Sequence, residues 1–365
     1  MLKIKLVELF RHRNETTFRP YLAADRHFMD IGIQFVVEGS YDLQWVGQAS
    51  FVDKTHHFNR AIKRGSWFLD NKIDGDYILF DGQDSASVIG LAEVMKRRKK
   101  PLAVLKNTLY VDRNDYTKPS IHGRKYWGSS SDYPDIALTD MRPVGLGVGD
   151  SHLIREYDYF TDLETVSKIK LSGSNWLSTV SPYWYSTFNK DMDVFAVFSY
   201  PAKHNTEFCR PTNYFYDRHR ERCINWLNML PKNIKVSKLE NGEHIPIDQY
   251  YDRMKRAKIV VAPFGYGEMA PRDIEAAMVG AVLIKPDMSH IESIPNVYIS
   301  DQTYRPCAWD FSNLNEKIMD TLDNYKYWAE TTVNGMRNEF VKQHSPERLV
   351  EHVHGIISSL PGYTT

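Results

Sequence analysis

The chain has 365 residues, with 46 basic and 46 acidic side chains and therefore a formal charge of zero. That balance gives no electrostatic reason to bind nucleic acid or an anionic membrane with the surface as a whole. At 42% hydrophobic and 25% charged, with eight Trp, 22 Tyr and 17 Phe, the composition excludes a disordered chain. Its length suits two domains of roughly 150–190 residues each.

Three cysteines, Cys209, Cys223 and Cys307, without CxxC spacing suggest neither a disulfide framework nor a cysteine zinc site. A reducing, cytoplasmic setting is the simpler expectation. The N-terminal MLKIKLVELF alternates like a strand and lacks the apolar core of a signal peptide. Nowhere do about 18 apolar residues run together, so no membrane span is expected.

In chain order, Lys3–Phe10 and Gln34–Val37 read as strands, and Thr55–Arg64 as a helix ended by Gly65. Asp76–Phe80 reads as a strand running through Asp81-Gly82-Gln83-Asp84 into a helix over Ser85–Arg98. The basic run Lys96–Lys100 closes that helix, where cations complement the dipole, and Pro101–Leu105 resumes as strand. From Asn107 to Ser151 the pattern weakens into a long loop rich in Tyr, Gly, Ser and Pro. Gly145-Leu-Gly147-Val-Gly149 lacks both the preceding strand and the following helix of a dinucleotide fingerprint and reads as a turn. Ser178–Asp191 reads as a linker.

A second alternating unit follows, with strands at Val194–Ser199, Ile234–Leu239, Lys258–Pro263, Ala281–Ile284 and Val297–Ile299. Helices are expected over Thr212–Leu230, Ile247–Ala257, Pro271–Val279, Leu314–Lys342 with a break near Gly335, and Pro346–Leu360. Such alternation indicates βαβ units around parallel sheets, an α/β class, with ligands beyond the carboxyl ends of the strands.

Residues 258–287, KIVVAPFGYGEMAPRDIEAAMVGAVLIKPD, carry the chemistry. A buried strand ends at Pro263, Phe264-Gly265-Tyr266-Gly267-Glu268 forms a glycine loop, and Pro271 suits a first helical position. The glycines let backbone approach a ligand, and the helix N-terminus presents free N–H groups with partial positive charge, which suits a phosphate or diphosphate. Arg272 and Glu275, three apart, share a face there: one can pair with phosphate oxygens, the other can accept from ribose hydroxyls. A plain surface ion pair on a strand–turn–helix is the alternative.

The pattern Pro263, Gly265, Pro271, Arg272, Glu275, Ala276, Gly280 resembles the donor-binding motif of GT-B glycosyltransferases, especially the exostosin-like branch. The resemblance implies two Rossmann-like domains with parallel sheets facing a central cleft. The acceptor-side domain would be residues 1–185 and the nucleotide-sugar domain 186–345, with a C-terminal helix, 346–365, packing back on the first. It implies that Glu275 binds the donor ribose, Arg272 supports the diphosphate or the helix, and Gly265, Tyr266, Gly267 and Glu268 line the sugar-phosphate site. Exostosin-like proteins are usually membrane-anchored, and this chain departs from them in lacking an anchor segment.

The expected activity is transfer of a sugar from a nucleoside-diphosphate sugar to a hydroxyl of a glycan acceptor, inverting and without a metal or other cofactor. A nucleotide-sugar epimerase, a retaining transferase and a non-catalytic nucleotide- or glycan-binding module remain open alternatives. Asp191-Met192-Asp193 precedes a strand and reads as a cap rather than a metal motif. Lys203 and Arg210, beside His204 in the loop after the strand at 194–199, are candidates for diphosphate contacts. For the general base, Asp81 and Asp84 follow the strand at 76–80, although Asp84 equally suits an N-cap, and His12 follows the first strand.

Overall fold

The computed structural model describes residues 1–8, 18, 21–48, 69, 71–81, 99–113, 169–171, 187–198, 210–239, 243, 245–265, 268–294, 296–343 and 345–363. In the first half the elements are β1 (Leu2–Glu8), α1 (Asp25–Asp30), β2 (Ile33–Val36), β3 (Leu43–Gln48), β4 (Tyr77–Asp81), β5 (Ala103–Lys106), β6 (Thr108–Tyr110) and β7 (Ile169–Leu171). Then come β8 (Met192–Ala196), α2 (Arg210–Asn228), β9 (Val236–Lys238), α3 (Ile247–Arg256), β10 (Ala257–Val261), α4 (Pro271–Met278), β11 (Val282–Pro286), β12 (Ile291–Ser293) and β13 (Arg305–Cys307). The chain ends with α5 (Leu314–Asp323), α6 (Tyr325–Trp328), a π-helical turn (Ala329–Val333), α7 (Asn334–Gln343) and α8 (Pro346–Ser358).

Two compact units result. The first comprises Met1–Ser178, Ile291–Pro295 and Gln343–Thr365; the second comprises Thr179–His290 and Asn296–Lys342. Among the described residues the first holds a six-stranded sheet, β2-β1-β3-β4-β5-β7, and the second a five-stranded sheet, β13-β11-β10-β8-β9. Every pairing inside both sheets is parallel. In each, the second strand lies outside the first and the chain then reverses direction, the doubly wound order of a Rossmann-like sheet. This architecture puts a topological switch point between β1 and β3 in one unit and between β8 and β10 in the other.

The first core forms because alternate strand residues face one side. Ile4 and Leu6 of β1, Leu43 and Trp45 of β3, and Ile78 and Phe80 of β4 join one buried cluster. Trp45 is wholly buried, with its ring stacked on Phe35 at 5.5 Å and tilted against Tyr21 at 4.8 Å. Helix α8 closes the cluster with Val350, Val353, Ile356 and Ile357. Its start is fixed by Ser345, whose hydroxyl accepts from the Arg348 N–H at 3.2 Å. Beyond it, Tyr363 donates to the Asp42 carbonyl at 3.0 Å, which ties the tail to the same unit.

In the second unit both sheet faces are covered, which is why its strands read as continuous apolar runs. Val194, Ala196 and Phe198 face Cys223 and Leu227 of α2 and Leu314 and Ile318 of α5. Phe195, of opposite parity, meets Tyr250 of α3 edge-on at 5.2 Å. Among the described residues no helix is long and apolar enough to cross a membrane.

Three expectations are corrected. Val297–Ile299 is not a strand, because Thr303 ties it into a turn: its hydroxyl donates to the Val297 carbonyl at 2.6 Å and accepts from the Ile299 N–H at 2.8 Å. The next ladder position goes to β13, Arg-Pro-Cys, an edge strand, where a proline is tolerated. Leu314–Lys342 is not one helix broken near Gly335. It breaks at Asn324 and again in the π-helical turn, where the Thr332 hydroxyl donates back to the Trp328 carbonyl at 2.8 Å. Within Asn107–Ser151, taken as loop, β6 pairs antiparallel with β12.

Gly335 lies inside α7 for a different reason. A Cβ there would stand 1.9 Å from the Gln302 carbonyl oxygen, so the helix backbone rests directly on that turn. Gly335→Ala should therefore cost about 1–3 kcal/mol in chemical denaturation despite the better helix propensity of alanine. A stabilised variant would contradict this contact.

Candidate functional site

The site is built where β10 ends, beside the switch point of the second sheet. Val261, Ala262 and Phe264 are all wholly buried, and the chain emerges at the half-buried Gly265. Phe264 is held at both backbone ends by two neighbours on α2. Its N–H donates to His219 Nε2 at 3.1 Å, and its carbonyl accepts from Arg220 Nε at 3.2 Å. The His219 ring stacks on the Phe264 ring at 5.2 Å with an interplanar angle of 6°. Accepting at Nε2 requires the imidazole to be unprotonated there, so His219 serves as a neutral bracket and not as a cation.

Helix α4 then begins at Pro271, after an extended Ala270 whose N–H donates to Asp273 Oδ2 at 3.0 Å. Arg272 and Glu275 converge on one tyrosine. Arg272 Nε donates to the Tyr250 hydroxyl at 3.1 Å, and that hydroxyl donates to Glu275 Oε2 at 3.1 Å. Tyr251 donates to Glu275 Oε1 at 2.8 Å. Each oxygen of this carboxylate is thus oriented by one hydroxyl and keeps a second lone pair for another donor. Burial pushes the Tyr250 hydroxyl up to about 12, against the pull of the Arg272 charge, so it remains a donor through the neutral range.

Two guanidinium groups flank one ring at the end of β8: Arg220 lies 5.4 Å and Arg272 5.9 Å from the centre of Phe198. Together with the α4 N-terminus they make this edge of the unit a place for an anion, and Glu275 beside them supplies a fixed acceptor. Sequence reasoning found Arg272 and Glu275 but missed His219, Arg220, Tyr250 and Tyr251. The spacing of His219, Cys223 and Leu227 marks the buried stripe of α2, and that signal places His219 and its neighbour on the core side.

The remaining sequence candidates fall as follows. Glu268 is wholly buried, and its charge acts on Lys285. Arg210 is the first residue of α2. Asp81 is the last residue of β4, in register with Gln48 and Lys106 on the adjacent strands. His12, Asp84, Lys203, Tyr266 and Gly267 lie outside the described residues, as do the helices expected over 55–64 and 85–98 and the glycine loop at 145–149. Asp191 and Asp193 stand at the opposite, N-terminal end of β8. Asp191 is bidentate with Arg256 at 2.7–2.8 Å and Asp193 pairs with Lys258 at 2.8 Å, so both carboxylates are neutralised by side chains.

A pocket of about 270 Å³ lies at the other end of α4, lined by Lys190, Gly280, Tyr325 and Arg337 among others. Lys190 donates to the carbonyls of Lys255 and Val279 at 2.9 and 2.7 Å, and Arg337 to that of Ala277 at 2.8 Å. Both side chains cap helix C-termini, and burial together with the Arg337 charge brings the Lys190 amine down to about 7.

No family model and no curated protein matches the chain. Its fold is similar to solved structures of an alpha-glucosyltransferase in complex with UDP (9% identity, TM-score 0.46, 98% of this chain and 100% of that one), also solved with UDP and a 13-mer DNA. It is similar too to an S. aureus MnaA–UDP co-structure (11%, 0.43, all of both chains). A third is WaaG, a glycosyltransferase involved in lipopolysaccharide biosynthesis (13%, 0.41, 98% and 100%). At these values the likenesses are of general architecture, and the chemistry has to come from the residues of this chain.

Proposed function

We propose that the chain is a glycosyltransferase that moves a sugar from a nucleoside-diphosphate sugar to a hydroxyl of a glycan acceptor. The observation that carries the reading is the convergence of Arg272 and Glu275 on Tyr250 at the N-terminus of α4, beside the switch point. An anion-binding helix end and a fixed carboxylate acceptor, adjacent on one helix, match the two polar parts of a nucleoside diphosphate, the diphosphate and the ribose diol. In this reading the α4 N-terminus, Arg272 and Arg220 stabilise the diphosphate as it leaves. That charge supply supports metal-independent transfer. Gly265, Tyr266, Gly267 and Glu268 are the candidates for the sugar-phosphate site, and Lys203 and Arg210 are further candidates for diphosphate contacts.

Direct attack by a deprotonated acceptor hydroxyl inverts the anomeric centre. The base would come from the first unit, where Asp81 ends β4, with Asp84 and His12 as the other candidates. The balanced net charge favours a glycan over a nucleic acid as acceptor.

Nucleoside-diphosphate release should be measured from UDP-, GDP-, ADP- and dTDP-sugars with mixed oligosaccharides or duplex DNA as acceptor. Product configuration is then read by NMR. Release dependent on an oligosaccharide, with an inverted product, is expected. Retained configuration would overturn the inverting step, DNA-dependent release the acceptor class, and a C2-epimerised sugar without transfer the transferase reading itself.

A further inference from the structure

Three ionisable side chains at the base of this site are wholly buried: Glu268 of the loop, Asp273 of α4 and Lys285 of β11. Lys285 Nζ lies 3.0 Å from Asp273 Oδ2, and neither side chain is accessible. The same Asp273 oxygen accepts from the Ala270 N–H at 3.0 Å and from the Tyr298 hydroxyl at 2.6 Å. The ammonium lies 4.9 Å from the centre of the Phe264 ring and 5.8 Å from that of Tyr298. Burial lowers the pKa of this ammonium, and the charges of Asp273 and then Glu268 oppose that. One amine therefore meets both the Phe264 ring at the end of β10 and the Asp273 carboxylate in the first turn of α4.

Stability alone is a poor account of this arrangement. A buried ion pair is often no better than well-packed apolar side chains of similar volume, because desolvation offsets the attraction. The pair does join β11 to the first turn of α4, with Phe264 against the ammonium and the Ala270 N–H on the same carboxylate oxygen. Arg272 lies on that first turn, and Arg220 donates to the Phe264 carbonyl.

We infer that Lys285 is a positioning residue: by meeting the Phe264 ring and the Asp273 carboxylate at once it fixes Phe264 and Ala270 against the first turn of α4 before any ligand arrives. The role of the ligand rests on the nucleotide-site reading; the ordering of the segment does not.

The test uses the full chain in three forms: wild type, Lys285→Met, and the charge-free triple variant Lys285→Met/Asp273→Asn/Glu268→Gln. Amide hydrogen exchange across 262–272 is measured without ligand, alongside Tm and the Kd for UDP, GDP, ADP and dTDP. In Lys285→Met the segment should exchange on the order of tenfold faster while β8 and β10 keep wild-type rates. Tm should fall, because the buried Asp273 carboxylate loses its cation. The triple variant should recover Tm but keep the fast exchange, with nucleotide affinity lowered on the order of tenfold. A triple variant that recovers slow exchange together with Tm would overturn the inference, as would wild-type exchange in either variant. If Lys285→Met does not fold, the triple variant alone decides. If wild type binds no UDP, GDP, ADP or dTDP yet the exchange results hold, the nucleotide site fails and the positioning role stands.

Discussion

Trp45→Ala is expected to destabilise the first unit by about 3–5 kcal/mol, the loss typical of a large aromatic removed from a core. Trp45 is wholly buried on a central strand, and its ring touches both Tyr21 and Phe35, so truncation leaves a void that three elements cannot all collapse into. The Arg256–Asp191 pair, with good geometry but both side chains about half exposed, contributes far less by contrast. Because α8 shares the Trp45 cluster, the C-terminal residues should lose hydrogen-exchange protection together with β1 and β3. Urea unfolding followed by exchange at β3, α8 and β10 checks this. Loss confined to β1–β4, with α8 still protected, would contradict the placement of α8 in the first core.

Arg272→Ala should lower nucleoside-diphosphate affinity about ten- to hundredfold, since hydrogen bonds to charged groups contribute about 1.5–3 kcal/mol. The loss has two routes. Arg272 would contact the phosphates itself, and its Nε also holds the Tyr250 hydroxyl that orients Glu275. Calorimetric titration separates them: the diphosphate should suffer most, and the free nucleoside, which meets only the Glu275 side, much less. Equal losses for both ligands would remove the phosphate role from Arg272.

Much of the fold was legible because its strands obey simple rules. The apolar runs around 194–199 and 258–263 are buried on both faces, and Pro271 opens a helix as its missing N–H permits. What escaped was decided by tertiary context. β13 contains a proline that only an edge position tolerates, and Val297–Ile299 has strand-forming residues captured by one threonine hydroxyl. Gly335 looked like a helix breaker and is instead a contact surface, which no local pattern encodes.

The candidate site divides the same way. Arg272 and Glu275 stood out because a strand, a glycine loop and a helix start are adjacent in sequence. His219 and Arg220 lie 44–45 residues from the Phe264 backbone that they bracket, and the Tyr250–Glu275 bond spans 25, so only the folded parallel sheet brings them together. Lys285 lies one residue past the strand expected over 281–284, and only its burial against Asp273 marks it out.

The central claim is that the α4 N-terminus binds a nucleoside diphosphate through Arg272 and Glu275. The most direct measurement is a thermal-shift series with UDP, GDP, ADP and dTDP on wild type and Glu275→Ala. A ligand that binds only the folded state at a hundred times its Kd stabilises by about 2.7 kcal/mol. At least one of the four should raise the Tm of wild type, and that rise should vanish in Glu275→Ala. No rise with any of the four, or an undiminished rise in the variant, would contradict the claim.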